Sequence, residues 1–123
     1  MSAQDLRSHQ WKERVVVIYS SSLQDDNALE QLELFRSTGS ELKDRQMVIY
    51  HITPEGYRYQ FSEEINTLNF KLEEEDFKVM LIGLDGGIKY ESNAVEPAQI
   101  YYGLIDKMPM RRSQMRKRVK NGG

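Results

Sequence analysis

Three runs of mostly apolar residues divide the chain and predict buried strands. They are Val15–Tyr19, Met47–Ile52 and Val79–Ile82. Consecutive apolar residues without a polar face are typical of strands covered on both sides. The third run leads into Asp85-Gly86-Gly87, whose glycines supply the positive φ values of a tight turn. The pattern therefore predicts a β-hairpin over residues 77–90 in the middle of a sheet.

Apolar residues at helical spacing predict three helices between and after these strands. Asp25 or Ser22 can cap the first helix, Ser62 can cap the second, and Pro97 fits the first turn of the third. A short helical turn could also form at Glu41–Arg45. The three apolar faces are Ala28, Leu29, Leu32 and Phe35; Ile65, Leu68 and Leu72; and Ile100, Tyr101, Leu104, Ile105 and Met108.

The elements follow the order strand, helix, strand, helix, strand, strand, helix. Right-handed crossovers would make the first three strands parallel, and the hairpin would add an antiparallel fourth. Tyr57–Phe61 alternates only weakly and could be an extended connection. This order predicts an α/β fold of the thioredoxin-like type, βαβαββα, with a four-stranded mixed central sheet. One helix would lie on one face of the sheet and two on the other.

The distribution of charge separates a body from a tail. Six of the 17 basic residues and none of the 19 acidic residues lie in residues 110–123, which gives the tail a formal charge of +6 and the rest −8. We expect a polar leader at residues 1–10, one domain at 11–109 that begins with Trp11 as its first anchor, and a basic tail at 110–123. An acidic body argues against nucleic-acid binding outside the tail. No apolar run approaches the roughly 20 residues of a membrane-spanning helix.

The chain has no cysteine. This excludes disulfides, thiolate metal sites and thiol-based redox chemistry, and it is compatible with the cytosol as well as the periplasm. The first residues lack the charged and apolar regions of a signal peptide. Either the protein has no such signal, or the sequence starts after a cleavage site and Met1 was added.

Three stretches carry a resemblance to a known family. They are Trp11-Lys12-Glu13-Arg14 before the first strand, Leu84-Asp85-Gly86-Gly87 in the hairpin, and Asp106-Lys107-Met108-Pro109-Met110-Arg111-Arg112 after the last helix. Together they resemble a peroxiredoxin-like domain of unknown function that occurs in bacterial exported proteins and in animal sushi-repeat-containing and coiled-coil-domain-containing matrix proteins. The resemblance covers about residues 11–116. It implies a thioredoxin-like fold, a periplasmic or extracellular setting and no established chemistry.

Redox-active relatives of that fold carry a thiol between the first strand and the first helix, and a cis-proline before the hairpin faces it. Here these places hold Ser20–Gln24 and Lys78-Val79, so both features are missing. A loop at the amino end of a helix could still bind a small anion or a peptide. The candidate ligand-binding residues are Ser20, Ser21, Ser22, Gln24, Lys78 and Val79. A serine nucleophile would also need a base, and the two histidines are His9 and His51.

The basic tail allows two interpretations. In the first, Arg111 and Arg112 pair with acidic residues of the body and the remainder is solvated. In the second, the tail contacts an acidic partner such as lipid head groups, a polyanionic glycan or nucleic acid. Nothing favours base stacking, because no aromatic residues are interleaved. The candidate contacts are Arg111, Arg112, Arg116, Lys117 and Arg118, with Lys120 beyond them.

No pattern in the chain predicts a metal or another cofactor. Asp25-Asp26 and Glu73–Asp76 lack the alternating ligands and the glycine of a calcium loop. His51 lies in an apolar strand, which is typical of a structural histidine. Tyr57 and Tyr59 could belong to a binding face or pack on the sheet.

We therefore expect an exported domain with a thioredoxin-like fold and no redox centre, acting as a binding, adhesion or accessory module with an unidentified protein or polyanionic partner. The first alternative is a non-thiol enzyme that uses the Ser20–Gln24 loop. The second is a polyanion or nucleic-acid binder that uses the basic tail.

Overall fold

A computed structural model describes residues 9–67, 76–109, 111–113 and 115 of the chain. These residues form one mixed sheet and three helices with defined bounds, and residues 109, 111–113 and 115 are also helical. The strands are β1 (Arg14–Ser20), β2 (Met47–Thr53), β3 (Gly56–Tyr59), β4 (Phe77–Ile82) and β5 (Ile88–Ser92). The helices are α1 (Asp26–Arg36), α2 (Gly39–Asp44) and α3 (Ala98–Asp106). The predicted α/β class and mixed sheet are confirmed.

Strand β1 lies at the centre of the sheet, in the order β3-β2-β1-β4-β5. It pairs in parallel with β2, where Val16 faces Ile49, and antiparallel with β4, where Val16 faces Leu81. The hairpin of β4 and β5 forms as predicted, but β5 lies at the edge of the sheet and not in its middle. Its turn places Gly86 at φ +84°, in the left-handed region that glycine adopts at little cost.

The sheet has five strands and not the four predicted, and β4 runs antiparallel to β1 and not parallel to it. The fifth strand comes from the weakly alternating stretch that begins at Tyr57. Residues Gly56–Tyr59 form β3, which pairs antiparallel with β2 from Thr53↔Gly56 to Tyr50↔Tyr59.

The predicted second helix does not begin at Ser62. None of residues 62–67 is helical, and Asn66 forms an isolated antiparallel bridge with Tyr57. Its main-chain N–H and C=O bond to those of Tyr57 at 2.8 and 2.9 Å, so they are not available for helical hydrogen bonds. Ile65, expected in the core, is 52% exposed. Leu68 and Leu72, the other predicted core positions, lie outside the described residues.

Buried side chains form two clusters on opposite faces of the sheet, because successive residues of β1 point to opposite sides. Val16 and Ile18 belong to the cluster that also takes buried residues from α1, α2 and α3. Val15 and Val17 belong to the other cluster, together with residues of β2 and β4. The three helices that the structure describes therefore pack on one face of the sheet.

Two residues predicted in helical core stripes are exposed. Leu29 of α1 and Ile100 of α3 are 43% and 42% exposed. In α1 the inward position is taken by Gln31, which donates to the main-chain oxygen of Glu96 at 2.9 Å and accepts from its N–H at 3.0 Å. Because both ends of its amide are satisfied, this polar side chain is buried at little cost.

Candidate functional site

The structure brings the two parts of the candidate ligand-binding site, Ser20–Gln24 and Lys78-Val79, to the same end of the sheet, which we call the Ser20 corner. Ser20, the last residue of β1, pairs with Phe77 of β4, and the preceding residue pairs with Lys78. Val79 is fully buried. Ser21 and Gln24 are exposed, and Ser22 is partly buried. The Ser20 corner is therefore present as a place in the fold. Lys78 pairs with the residue before Ser20, so the side chains of Ser20 and Lys78 point to opposite faces of the sheet. Lys78 Nζ lies 3.5 Å from a carboxylate oxygen of Glu91.

Ser20 is not arranged as a nucleophile. Its Oγ lies 2.7 Å from the main-chain oxygen of Ser22 and 2.6 Å from Nε2 of His51. A carbonyl oxygen only accepts, so the single hydroxyl proton of Ser20 is donated to Ser22. His51 Nε2 must then carry a proton and donate it to Ser20 Oγ. The histidine cannot act as a base toward Ser20 from this side.

His51 is a neutral, structural side chain. It is 1% exposed, and burial, with the positive charge of Arg58, lowers its pKa to about 4. Its Nδ1 atom has no hydrogen-bond partner within the described part of the chain. At neutral pH the imidazole therefore serves as a hydrogen-bond donor that fixes the end of β1 against β2.

The amino end of α1 is capped by a carboxylate of the chain itself. Asp25 Oδ2 accepts from the N–H of Ala28 at 3.0 Å, as the sequence predicts for a cap. Asp26 adds a second acidic group in the first turn. An anion that approached this loop would meet both negative charges.

The opposite end of β1 begins with a buried arginine. Arg14 is 1% exposed and lies on the same face of the sheet as Ser20, roughly 20 Å away at a strand rise of about 3.3 Å per residue. Its Nη1 donates to the main-chain oxygen of Arg45 at 2.7 Å. Its Nε and Nη2 have no hydrogen-bond partner among the described residues. Buried donors are nearly always paired in proteins, so this exception calls for an explanation.

Two neighbouring arginines differ from Arg14 because each pairs with carboxylates. Arg45 donates to Asp106 through Nε at 3.0 Å and Nη2 at 2.8 Å, a two-pronged pair. Arg111 donates to Asp44 Oδ2 at 2.6 Å and to Asp106 Oδ1 at 3.3 Å. The carboxylate of Asp106 is thus shared by Arg45 and Arg111 and makes no hydrogen bond to Arg14.

The directions of the pKa shifts agree with these contacts, in which Asp106 binds Arg45 and Arg111 but not Arg14. Burial alone would raise the pKa of Asp106, but hydrogen bonds and charges from Arg45 and then Arg111 lower it. The pKa of Arg45 is raised, because its bonds to Asp106 and Glu41 outweigh its burial. The pKa of Arg14 is lowered, first by burial and then by the charge of Arg111, with Asp106 only partly opposing. Among the three, Arg14 is the cation without a counter-ion in contact.

Arg14 forms part of the wall of a cavity of about 350 Å³. The rest of the wall comes from residues 83–85 and Lys89 of the hairpin and from residues 107–109 after α3. Lys89 is paired with Asp85 at 2.8 Å. Lys107 forms no ion pair with any described residue and is exposed. The cavity therefore combines an apolar lining with one buried and one exposed cation that lack anionic partners in the described chain.

All three stretches that carried the sequence resemblance contribute to this cavity. The first supplies Arg14, the second Leu84 and Asp85, and the third Lys107, Met108 and Pro109. The sequence did not predict the site, because Arg14 stands beside Glu13 as half of a polar pair before β1. A signal was available: Arg14 precedes Val16 and Ile18 at strand spacing, which places all three on one face.

Trp11 lies beside one wall of the cavity. The sequence predicts it as an anchor, but its side chain is 61% exposed. Its main-chain N–H donates to the oxygen of Leu84 at 2.6 Å, and Gln10 Nε2 donates to the oxygen of Asp85 at 3.0 Å. Trp11 has φ +67°, an uncommon conformation for a bulky residue. Gln10 and Trp11 thus form a strap that holds the hairpin turn against the start of β1.

The predicted tail contacts are placed only in part. Arg111 is buried and belongs to the Asp44 and Asp106 network described above. The side chain of Arg112 is exposed, and its main-chain N–H donates to the main-chain oxygen of Met108 at 2.9 Å. Arg116, Lys117, Arg118 and Lys120 lie outside the described residues.

Tyr57 and Tyr59 pack on the second face of the sheet. Their rings lie 5.9 and 4.9 Å from that of Tyr50, centre to centre. The hydroxyl of Tyr50 lies 2.6 Å from Nε2 of His9, the first described residue, which also bonds Glu13 at 2.6 Å. The last residues of the predicted leader therefore contact the domain.

The described residues lack two kinds of feature. They contain no group of three or more histidine, cysteine, aspartate or glutamate residues that could hold a metal ion. Nor do they include a helix with the length and apolar character needed to cross a membrane. The Glu73–Asp76 cluster lies outside the described residues except for Asp76.

The chain matches one protein family. A family model described as a domain of unknown function, DUF4174, matches residues 5–114. This range includes the strap, the hairpin turn and Pro109, and so every residue of the Arg14 cavity. No curated protein and no solved structure matches the chain. The family match spans most of the 123 residues, and the chain therefore belongs to the DUF4174 family.

Proposed function

We propose that this domain is a thioredoxin-like module without redox chemistry that acts by binding, and that its ligand places an anionic group against Arg14. The observation that carries the proposal is the buried guanidinium of Arg14, whose Nε and Nη2 are unpaired among the described residues beside a cavity of about 350 Å³. The module would work in the periplasm or outside the cell, in an adhesion or accessory role.

The thioredoxin-like assignment is supported by the order of four of the five strands. β2, β1, β4 and β5 follow one another with a parallel pair and then two antiparallel pairs, while α1 and α3 share a face. β3 would be an addition at the edge. The exported setting is supported by the resemblance of the three stretches that meet at the cavity.

Binding is favoured over catalysis because the Ser20 corner lacks an arranged nucleophile. The chain has no cysteine, and the hydroxyl proton of Ser20 is donated to a main-chain oxygen and not to a base. His51, the histidine at this corner, is bonded to Ser20 and is oriented as a donor. A non-thiol enzyme at this corner would need a base in contact with a serine hydroxyl, and His51 is not oriented as one.

Recognition of an anion follows from the cost of burying Arg14. Taking a guanidinium out of water is expensive unless hydrogen bonds and an opposite charge replace its hydration. One bond to the oxygen of Arg45 replaces only part of it. An anion at Nε and Nη2 would supply two charge-assisted hydrogen bonds, which are stronger than neutral ones. Both atoms are covered by protein, so the anion would reach them by displacing part of the cavity wall. Anion recognition is thus assigned to the cavity.

The test is anion-dependent stabilisation of the full chain. Thermal unfolding would be followed at constant ionic strength in chloride, sulfate, phosphate and several organic carboxylates. We expect at least one anion other than chloride to raise the melting temperature in a concentration-dependent way, since a ligand that binds the folded state stabilises it. The rise should be lost in Arg14→Gln and kept in Arg112→Gln, an exposed arginine in the same part of the chain.

The proposal fails if no anion separates wild type from Arg14→Gln, or if Arg112→Gln loses the same effect. If Arg14→Gln does not fold, Lys107→Gln replaces it. Lys107 is exposed, so the fold should tolerate this change, and a weaker response to the same anions is expected.

A further inference from the structure

We infer that the ligand of the Arg14 cavity is an apolar monocarboxylate: its carboxylate binds Nε and Nη2 of Arg14, and its apolar body lies against Leu84, Met108 and Pro109. This inference rests on the proposed function and specifies the class of ligand. Three features of the site carry it, namely the geometry of the free donors, the charge balance around them and the chemistry of the wall.

The first feature is the edge of the guanidinium that makes no hydrogen bond to the described residues. Nη1 of Arg14 is used by the main-chain oxygen of Arg45 at 2.7 Å. The two remaining donors, Nε and Nη2, lie side by side on one edge of the planar group and have no hydrogen-bond partner among the described residues. Both are covered by protein, so the ligand must displace part of the wall formed by residues 83–85 and 107–109 to reach them. Their N–H bonds are parallel and match the two oxygens of a carboxylate in a two-pronged pair. Arg45 binds Asp106 through the same two atoms, at 3.0 and 2.8 Å, within this protein.

The second feature is the charge balance. Arg45 and Arg111 are already in contact with the carboxylates of Asp106 and Asp44. Arg14 is the remaining buried cation among the described residues of this cluster, so one negative charge on the ligand is enough to balance it. A dianion would bring a second charge into an apolar site, where an unpaired charge is costly. Lys107 is exposed and hydrated; its charge would favour the approach of an anion but would not compensate a second buried one.

The third feature is the size and lining of the cavity. At about 350 Å³ it lies near the lower end of ligand sites, which span about 300–1,000 Å³. Leu84 is buried, and Met108 is partly buried beside Pro109. Such a wall suits a short aliphatic or aromatic group and offers little to a sugar or a nucleotide. The same chemistry is presented by a free organic acid and by the terminal carboxylate of a peptide that ends in an apolar residue.

The chain carries its own reporter for this site. Trp11 is the single tryptophan of the chain. Its main-chain N–H donates to the main-chain oxygen of Leu84 in the cavity wall. Its ring is largely exposed, so a ligand beside Leu84 should change its fluorescence. Calorimetric titration gives an independent measure of affinity.

The experiment titrates the full chain with matched pairs of ligands. The first pair is 3-phenylpropionate and 3-phenylpropanamide, which differ only in the anionic group. The second is a short peptide ending in leucine with a free or an amidated carboxyl terminus. Acetate tests the apolar body, and inorganic phosphate tests the choice of anion. We expect each carboxylate to bind at least about tenfold more tightly than its amide and more tightly than acetate or phosphate.

Variants test the contacts. Arg14→Lys keeps a positive charge but loses the two-pronged edge, so the preference for carboxylate over amide should fall by about tenfold or more. Arg112→Gln is the control and should bind as wild type does. If Arg14→Lys does not fold, Lys107→Glu serves, with weaker carboxylate binding expected because the charge at the cavity is reversed.

The outcomes separate this inference from the proposed function. If phosphate binds as well as 3-phenylpropionate and both depend on Arg14, the carboxylate inference is overturned and anion binding stands. If no anion binds at all, both are overturned. Equal binding of carboxylate and amide also overturns the inference. If 3-phenylpropionate binds more tightly than the peptide, the ligand is a small molecule. If the peptide binds more tightly, the ligand is the carboxyl terminus of a polypeptide. Either result supports recognition of a carboxylate.

Discussion

Arg14 donates a hydrogen bond from Nη1 to the main-chain oxygen of Arg45, which directly follows α2. Arg45 in turn holds Asp106, the last residue of α3. The start of the central strand and the ends of two helices are therefore joined by one chain of polar contacts. Arg45 also lies over the ring of Tyr102, with its guanidinium carbon 4.9 Å from the ring centre. This arrangement makes the polar cluster part of the fold as well as a neighbour of the cavity.

Replacing the shared carboxylate should destabilise the protein. Asp106→Asn removes the charge that Arg45 and Arg111 both contact and leaves two buried guanidinium groups with less compensation. Because the Asp106 side chain is 35% exposed, we expect a loss of about 1–3 kcal/mol, below the range for a fully buried pair. Urea unfolding measures it. The control is Asp76→Asn, at an exposed position, where a change within about 0.5 kcal/mol is expected. Equal losses in both variants would contradict the shared role of Asp106.

The buried histidine should make stability depend on pH. His51 has a pKa of about 4 in the folded protein, against the ordinary value of 6.5 in an unfolded chain. As the pH falls, the unfolded state takes up the proton first, so stability present above pH 6.5 is lost toward pH 4. Between pH 7.5 and 5 the loss should be about 2 kcal/mol.

Urea midpoints at the two pH values measure this dependence. His51→Gln should remove most of it, whereas His9→Gln, which changes the other histidine, should retain it. An unchanged slope in His51→Gln would show that the histidine is not the group responsible.

The direction of the hydrogen bond between Ser20 and His51 can be observed directly. Since Ser20 donates to the oxygen of Ser22, His51 should carry its proton on Nε2 and leave Nδ1 unprotonated at pH 7. Long-range ¹H–¹⁵N correlation spectra of the imidazole distinguish the two forms. The opposite tautomer would mean that Ser20 donates to His51, and a base role for the histidine would then be open again.

Two glycines should respond to alanine in opposite directions. Gly56 has φ +141°, and a Cβ there would lie 2.5 Å from the main-chain oxygen of Asn66. Gly56→Ala should therefore cost about 1–3 kcal/mol or more. Gly103 lies within α3, and a Cβ added there would meet no atom within 4 Å, so Gly103→Ala should stabilise the protein by about 0.5–1 kcal/mol. Thermal and urea unfolding measure both, and a stable Gly56→Ala variant would argue against the Tyr57–Asn66 bridge.

The buried strands could be predicted because their signal is local. Val15–Tyr19, Met47–Ile52 and Val79–Ile82 are covered on both faces, so their composition alone marks them. β3 could not be predicted in the same way. Its side chains are half buried, and its existence depends on pairing with β2, which periodicity does not report. The predicted direction of β4 is also wrong, because the apolar pattern of a strand does not report the direction in which the strand crosses the sheet.

The two candidate sites differ in how far apart their parts lie in the sequence. The Ser20 corner was visible because it directly follows a predicted strand. The Arg14 cavity joins residues near positions 14, 84 and 108, and the pair that shapes it, Arg45 and Asp106, is separated by 61 residues. A single sequence contains no signal for such a meeting. The charge of Arg111 is plain in the sequence, but its burial depends on Asp44, which has the pattern of an ordinary surface residue.

The outermost strand on the hairpin side has a consequence for how the domain can meet other molecules. β5 borders the sheet next to β4, and it carries Lys89 and Glu91 at exposed positions. Charged side chains on a border strand discourage a foreign strand from adding to the sheet, and they keep copies of a protein from stacking through their backbones. Recognition by strand addition is thus disfavoured on this side, which leaves side-chain contacts as the means of choosing a partner there.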